Sequence, residues 1–406
     1  MLSLAKSSHP ALTALKSSEG HLAVNKITKK IIPAGQGAHD HATINVRHIQ
    51  VSSGGTPTIT TTQTAPVTYK ITPSDIPGKI KKIYVRCLLT VSTDVVAIQG
   101  PKILTDVVYS IGSQKIGTWP AEALWVETAL DEGGDTDLQA YLTLSNGMGT
   151  TWGNGHTIQV GTFNLFVDIT GPFRSGAINP STLDETITIQ FAFNATTPVN
   201  GFATLTGTVV LTSHQLRVFY ESDPDAQAND RYAMQKGMDI VYLMPQLISN
   251  RTVSGTSELA RTDLDNFKGI SPFAVFMVQD VSADIGASSQ ALSAISQIKV
   301  NDTAGIRVLS DSDDPWLINE LWMHLYDIMG KGVSPFYGSN TILYPFCKDP
   351  RDAIFGKIDG YYKFTGGGES ATLTSTDSNA DNLRILMYHF RVMHFMGGKL
   401  KAISDM

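Results

Sequence analysis

Cysteine is nearly absent, since Cys87 and Cys347 are the only two in 406 residues. One falls in each half, each inside an apolar run, so a disulfide scaffold is excluded and both are read as core thiols acceptable in a reducing compartment. Charge is sparse as well. Charged residues make up 17% and hydrophobic ones 42%, against an ordinary charged share of about a quarter, a balance that is globular but leaves a neutral, hydroxyl-rich surface. The formal net charge of −6 and a pI near 5.9 argue against a broad nucleic-acid-binding face, which would be basic. No stretch approaches the roughly 18 apolar residues of a membrane span. The opening MLSLAKSSHPALTALK also lacks an uninterrupted apolar core, so neither secretion nor membrane spanning is expected, and the chain is predicted to stay in the cytosol that makes it. The sequons at Asn194, Asn250 and Asn301 then meet no glycosylating machinery.

The motifs of common chemistries are missing too. There is no phosphate loop, dinucleotide fingerprint, G-x-S-x-G elbow or H-E-x-x-H, and Gly366-Gly367-Gly368 lacks the lysine and following helix that a phosphate cradle needs. His39, His41 and His48 are read as solvated, because no cysteine or facing carboxylate completes a metal set. Asp311, Asp313 and Asp314 do not follow calcium-loop spacing and are better used to cap a helix. Glu122, Glu127, Glu132, Glu185 and Glu320 form no defensible glycosidase pair. No catalytic residue, cofactor or metal site is therefore assigned.

What is present is a doubled β pattern behind a basic arm. Residues 1–39 carry Lys6, Lys16, Lys26, Lys29 and Lys30 against Glu19 alone, a net-basic segment at the head of a chain that is acidic overall. Leu12, Leu15, Leu22 and Ile27 give this arm a ragged apolar stripe, so its lysines are expected to meet anionic lipid headgroups, with neighbouring subunits as the alternative contact. From residue 42 the period changes to two. Strands are predicted at 57–71, 80–92, 104–111, 157–169, 186–194 and 202–220, after a first one near 43–51. The polar stretch 221–236 separates these from a second set at 238–244, 252–258, 271–279, 295–300, 305–309, 340–346, 352–365 and 382–396.

Each half is interrupted by a Trp-bearing helix that starts on a proline and stops at a glycine. Pro120 lies 80 residues past Asp40 and Pro315 lies 78 past Gly237, so the depths match and point to a duplicated architecture. The second helix carries Leu317, Leu321, His324, Leu325 and Ile328 on one face. Trp316, Leu321 and Leu325 are expected in the core beneath it. Short strands with frequent turn signals and no helix between most of them exclude a parallel α/β fold and fit two eight-stranded jelly rolls.

The order of parts resembles the major capsid proteins of the double jelly-roll lineage, especially those of tectivirus-like phages with a lipid membrane inside the shell. The likeness covers roughly residues 30–398 and is carried by four stretches: the bridge from Tyr220 to Lys236, Tyr242-Leu243-Met244-Pro245, Asp314-Pro315-Trp316 leading to Gly330-Lys331-Gly332-Val333, and Asn382 to Tyr388. The expected fold is all-β, two side-by-side eight-stranded jelly rolls with short inserted helices. Its divisions would be an arm at 1–39, jelly roll 1 at 40–222, a linker at 223–236, jelly roll 2 at 237–398 and a C-terminal tail at 399–406. The resemblance implies a non-enzymatic bacteriophage capsid subunit, made in the host cytoplasm and located in the virion. Three chains would form a pseudo-hexagonal capsomer of an icosahedral shell over an internal membrane. Its partners would be copies of itself, neighbouring capsomers, other capsid proteins such as a vertex protein, and membrane lipids, with no specific nucleic acid. The unusually long, lysine-bearing arm departs from that family. A carbohydrate-binding or carbohydrate-active β-sandwich protein, or a minor virion coat or spike protein, is the alternative.

Overall fold

The structure, a computed structural model, describes residues 22–24, 31–33, 44–49, 66–91, 104–132, 161–193, 209–221, 224–253, 258–264, 267–280, 295–301, 317–330, 341–375 and 381–406. Lys6, Lys16, Lys26, Lys29, Lys30, Trp316, the expected strand at 305–309, His39, His41 and the Asp311–Asp314 loop lie outside the described residues. Strands β1 (Leu22–Val24) and β2 (Ile31–Pro33) pair with each other.

Eight strands then build two four-stranded antiparallel sheets. They are β3 (Ile44–Ile49), β4 (Val67–Ile71), β5 (Lys79–Val91), β6 (Val107–Ile111), β7 (Gln114–Trp119), β8 (Gly161–Asp168), β9 (Ile187–Phe191) and β10 (Val209–Glu221). One sheet runs β3-β10-β5-β8 and the other β4-β9-β6-β7. The chain therefore crosses between sheets at nearly every connection, which is the jelly-roll path. Inward and outward residues alternate along β4, β6 and β9, as a half-buried strand requires.

The second half repeats the order. Its strands are β11 (Met238–Val253), β12 (Glu258–Asp263), β13 (Gly269–Ser271), β14 (Phe273–Asp280), β15 (Ile295–Asn301), β16 (Thr341–Pro345), β17 (Tyr362–Phe364), β18 (Ser370–Ser375), β19 (Asp381–Met396) and β20 (Lys399–Asp405). The sheet β11-β19-β14-β16 matches β3-β10-β5-β8 strand for strand, and β12-β18-β15 matches β4-β9-β6. A counterpart of β7 would fall in 302–316, outside the described residues. β13 pairs with β17, and β20 pairs with β19.

Among the described residues four α-helices are inserted: α1 (Ala121–Glu132), α2 (Pro224–Lys236), α3 (Leu317–Met329) and α4 (Pro350–Ala353). α1 stands between β7 and β8, and α3 between β15 and β16, so the matched depths seen in the sequence are matched places in the topology.

Several expectations need correction. Residues 399–406 are not a tail, because Gly397 and Gly398, with φ of 63° and 71°, make the left-handed turn that folds β20 back along β19. The single strand expected at 352–365 is replaced by α4 and the short β17. Asp349 accepts a hydrogen bond from the Arg351 amide and Pro350 opens the helix, a capping arrangement that outweighs the apolar alternation. The strand expected at 238–244 runs on as β11 to Val253, into the first two residues of the one expected at 252–258, and β12 begins only at Glu258. Pro245 is tolerated there because β11 is the edge of its sheet. β7 was not expected; it follows the Gly112 turn, whose φ is 57°.

One core cluster fills the first sheet pair, continues around α1 and reaches Val275, Leu343, Leu386, Tyr388 and Phe390 on the second half. A separate cluster, with Phe276, Val300, Ile385 and Met387, fills the second sheet pair.

Candidate functional site

Where the two halves meet, the joint is built around α1. Every residue from Ala121 to Leu130 is buried, so this stretch of the helix has no solvent-facing side and is covered all round. Two tyrosines from the second half reach across. Tyr242 donates to the Ile116 carbonyl at 3.1 Å and Tyr388 to the Ala123 carbonyl at 3.3 Å. Trp119 and Tyr242 also lie ring to ring at 6.4 Å. Gly117 makes this approach possible, since a β-carbon there would stand 2.8 Å from the Trp119 ring and 3.2 Å from the Met244 methyl.

Beneath α1 lies a buried charge cluster centred on Arg174. Its guanidinium meets Glu127 at 3.1 Å, Asp131 at 2.8 Å and Asp168 at 3.0 Å. Lys82 reaches Asp131 from the margin at 3.2 Å. Trp119 donates to the other Glu127 oxygen at 2.7 Å, and Thr170 donates its amide and hydroxyl to Asp168. Burial pushes Glu127 up to about 7 even against the pull of Arg174 and Trp119. Burial would raise Asp168 too, but Arg174, Lys82 and the Thr170 bonds hold it below the usual carboxylate range. Three carboxylates facing two cations leave one negative charge in excess, and a proton on Glu127 removes it.

The turn between β19 and β20 closes the joint from the other side. Asp184 donates its amide to the Gly398 carbonyl at 2.7 Å, and the Leu400 amide donates to Glu185 at 3.0 Å. The amides of Gly397 and Gly398 donate to the Gln235 and Met234 carbonyls of α2. A side chain at Gly398 would sit 2.8 Å from the Asp184 carboxylate. Along β20, Arg391 pairs with Asp405 at 2.7 Å, and His394 bridges Asp239 and Ser404, each at 2.8 Å. His389 lies below them, 5% exposed and edge-on to Phe267. Burial, reinforced by Arg391, pushes it down to about 4.

These groups hold elements together. Burial pushes both thiols up, Cys347 to about 12, which makes them poor nucleophiles. Among the described residues no group of three or more His, Cys, Asp or Glu is placed to hold a metal, and no helix is long and apolar enough to cross a membrane. Of the residues singled out in the sequence, Leu325 is fully buried and Leu321 is half-buried against both core clusters. Sequence reasoning missed Arg174, Asp168 and the β20 latch. The one visible signal of the charge cluster was a lone arginine just after Gly171-Pro172-Phe173.

No protein-family model matches the chain, and no curated protein matches it. Solved structures do. The PBCV-1 virus capsid matches with a TM-score of 0.61 at 14% identity, over 88% of this chain and 95% of that one. The chain has the double jelly-roll fold. The Faustovirus major capsid protein matches with a TM-score of 0.55 at 9% identity, over 87% of this chain and 90% of its own. The mavirus major capsid protein gives 0.52 at 11% identity, over 89% and 90%. At these identities the likeness establishes the double jelly roll and leaves function to be argued from the molecule.

Proposed function

We propose that this double jelly-roll chain is the major capsid protein of a virus, a non-enzymatic subunit of the virion shell made in the host cytoplasm. The observation that carries the reading is the tight joint between two like rolls, which turns one chain into a rigid two-lobed block. Three such chains would present six similar lobes, a pseudo-hexagonal unit able to tile an icosahedral shell. The fold shared with the PBCV-1, Faustovirus and mavirus capsid structures supports the same reading. The low charge of the surface suits broad lateral contact between copies.

The division into an arm at 1–39, rolls at 40–222 and 237–398, and a linker at 223–236 belongs to this proposal. So do the bacteriophage host, the internal membrane and contact with other capsid proteins such as a vertex protein. The arm's Lys6, Lys16, Lys26, Lys29 and Lys30 would each contribute on the order of 1 kcal/mol beside an anionic leaflet. Five act usefully only when many copies are arrayed. Native mass spectrometry of the full chain is expected to give a homotrimer, and a stable monomer at micromolar concentration would refute that. Binding to anionic liposomes that is unchanged after deletion of residues 1–30 would remove the membrane contact and leave the capsid reading standing.

A further inference from the structure

One end of the molecule gathers segments from both rolls. β3 starts at Ile44 opposite Glu221, the last residue of β10, so the arm leads in where α2 follows on. β11 starts opposite Phe395, beside the turn from β19 to β20. The loop 346–361, which carries α4, reaches the same end. A side chain on its Gly356 would stand 2.6 Å from the Val241 carbonyl, near the start of β11, and 3.9 Å from Ser175 of the first roll. Arg351 ties the loop down by donating to the Ile328 and Met329 carbonyls at 2.9 and 3.1 Å.

Apolar side chains are left uncovered here. Phe355, Ile358 and Tyr361 are 37%, 40% and 52% exposed along one loop, and Tyr232 of α2 and Met396 before the β19–β20 turn are more exposed still. Five of the nine large apolar side chains exposed among the described residues thus stand at one end, a concentration that marks a contact surface. The exposed charges beside them are mainly cations, Arg231, Lys236, Lys348, Lys357 and Lys399 against Asp184 and Asp239, although the whole chain carries −6. Asp239 is already engaged by His394, and Lys357 by Asp352.

We propose that this end rests on an anionic lipid surface, with Phe355, Ile358 and Tyr361 entering the headgroup layer and Lys348 and Lys399 against the headgroup phosphates. The contact is made by the folded body and rests on the membrane reading given above for the arm. A lipid surface has no fixed shape to match, and binding to it grows with buried apolar area and attraction to anionic headgroups. Protruding apolar tips among lysines meet both needs. Tyr361 can bury its ring and keep its hydroxyl among the headgroups, and the lysine stems can lie along apolar surface with the ammonium in water. A nucleic-acid face would favour the planar forks of arginine, yet Arg231 is the one arginine among these cations, and Ile358 and Met396 would have no role there.

The test uses the full chain and vesicles of phosphatidylglycerol in phosphatidylcholine, with phosphatidylcholine alone as the comparison. Ile358→Cys is labelled with a polarity-sensitive fluorophore, which the buried Cys87 and Cys347 do not take up. On anionic vesicles the label is expected to shift to the blue and to be quenched by brominated lipid. The same label at Leu247→Cys, exposed well along β11, should not respond. Phe355→Ser, Ile358→Ser and Tyr361→Ser together should weaken binding to anionic vesicles about tenfold or more with the arm intact. Lys348→Glu with Lys399→Glu should weaken it about fivefold or more. All five side chains are exposed, so these variants are expected to fold, with circular dichroism as the check. Wild-type binding that leaves the Ile358 label unshifted and survives the triple substitution would overturn this contact and leave the arm's contact standing. A label that still shifts after deletion of residues 1–30 would uphold this contact by itself. A full chain that ignores anionic vesicles, or binds duplex DNA in their place, would overturn both membrane contacts without touching the capsid reading.

Discussion

Arg174 is buried and faces three carboxylates supplied by α1 and β8. Such a cluster is weak support for stability as a whole, but removal of its central cation strands the remaining charges in a poor solvent. Arg174→Met is therefore expected to lose about 3 to 5 kcal/mol in urea unfolding. Loss of less than about 1 kcal/mol would show that the carboxylates find water or each other. Two titrating residues act in opposite directions at the joint. The Glu127 carboxyl is raised from 4.5 to about 7, so its contribution is fully present below pH 4.5 and is lost as pH rises through 7. His389 is lowered from 6.5 to about 4, so its contribution is present above pH 6.5 and is lost as pH falls through 4. Each could amount to about 3 kcal/mol, and across the shared window they partly cancel. His389→Phe removes one of them while keeping the ring beside Phe267. Its stability relative to wild type should grow by about 3 kcal/mol as pH falls from 6.5 to 4; a difference that stays flat with pH would show that His389 is not the acid-sensitive group.

The elements differ in how much of them the sequence displays. α3 is amphipathic, so its stripe of Leu321, Leu325 and Ile328 was legible. Leu325→Ala should cost about 2 to 5 kcal/mol. Leu321, only half-buried, should cost less, and equal losses in thermal melts would mean that the helix is seated differently. α1 carries no stripe because it is buried on every side, its Glu127 included, and only its Pro120 start and Gly133-Gly134 stop betrayed it. β20 was illegible for the opposite reason. Lys399-Leu400-Lys401-Ala402 buries only Leu400 along the strand, so periodicity has almost nothing to register. The Gly397-Gly398 turn was its sole signal. The Arg174 cluster was hidden because Glu127, Asp131, Asp168 and Arg174 come together through a fold that no short window contains. The Asp349-Pro350 cap shows the reverse case, where a local rule was present but the apolar run beside it was read first.

At the scale of the whole molecule, the joint decides whether two rolls behave as one body. Adjacent domains in a chain ordinarily meet through modest, polar surfaces and unfold separately. Here the first roll's core continues around α1 onto the outward face of β19 and β14, so neither roll can open without exposing part of the other's apolar surface. Backbone hydrogen bonds at Asp184, Leu400, Gly397 and Gly398 add cover that would be lost in the same step. Calorimetry of the full chain at fixed concentration is therefore expected to show one transition for both rolls, with calorimetric and van't Hoff enthalpies in agreement when scaled to the same oligomer. A substitution on either side of the joint, Arg174→Met in the first roll or Leu325→Ala in the second, should move that single transition as a whole. If Arg174→Met splits the trace and leaves a peak at the wild-type temperature, the second roll folds independently, and the shared core is a contact between two bodies rather than the interior of one.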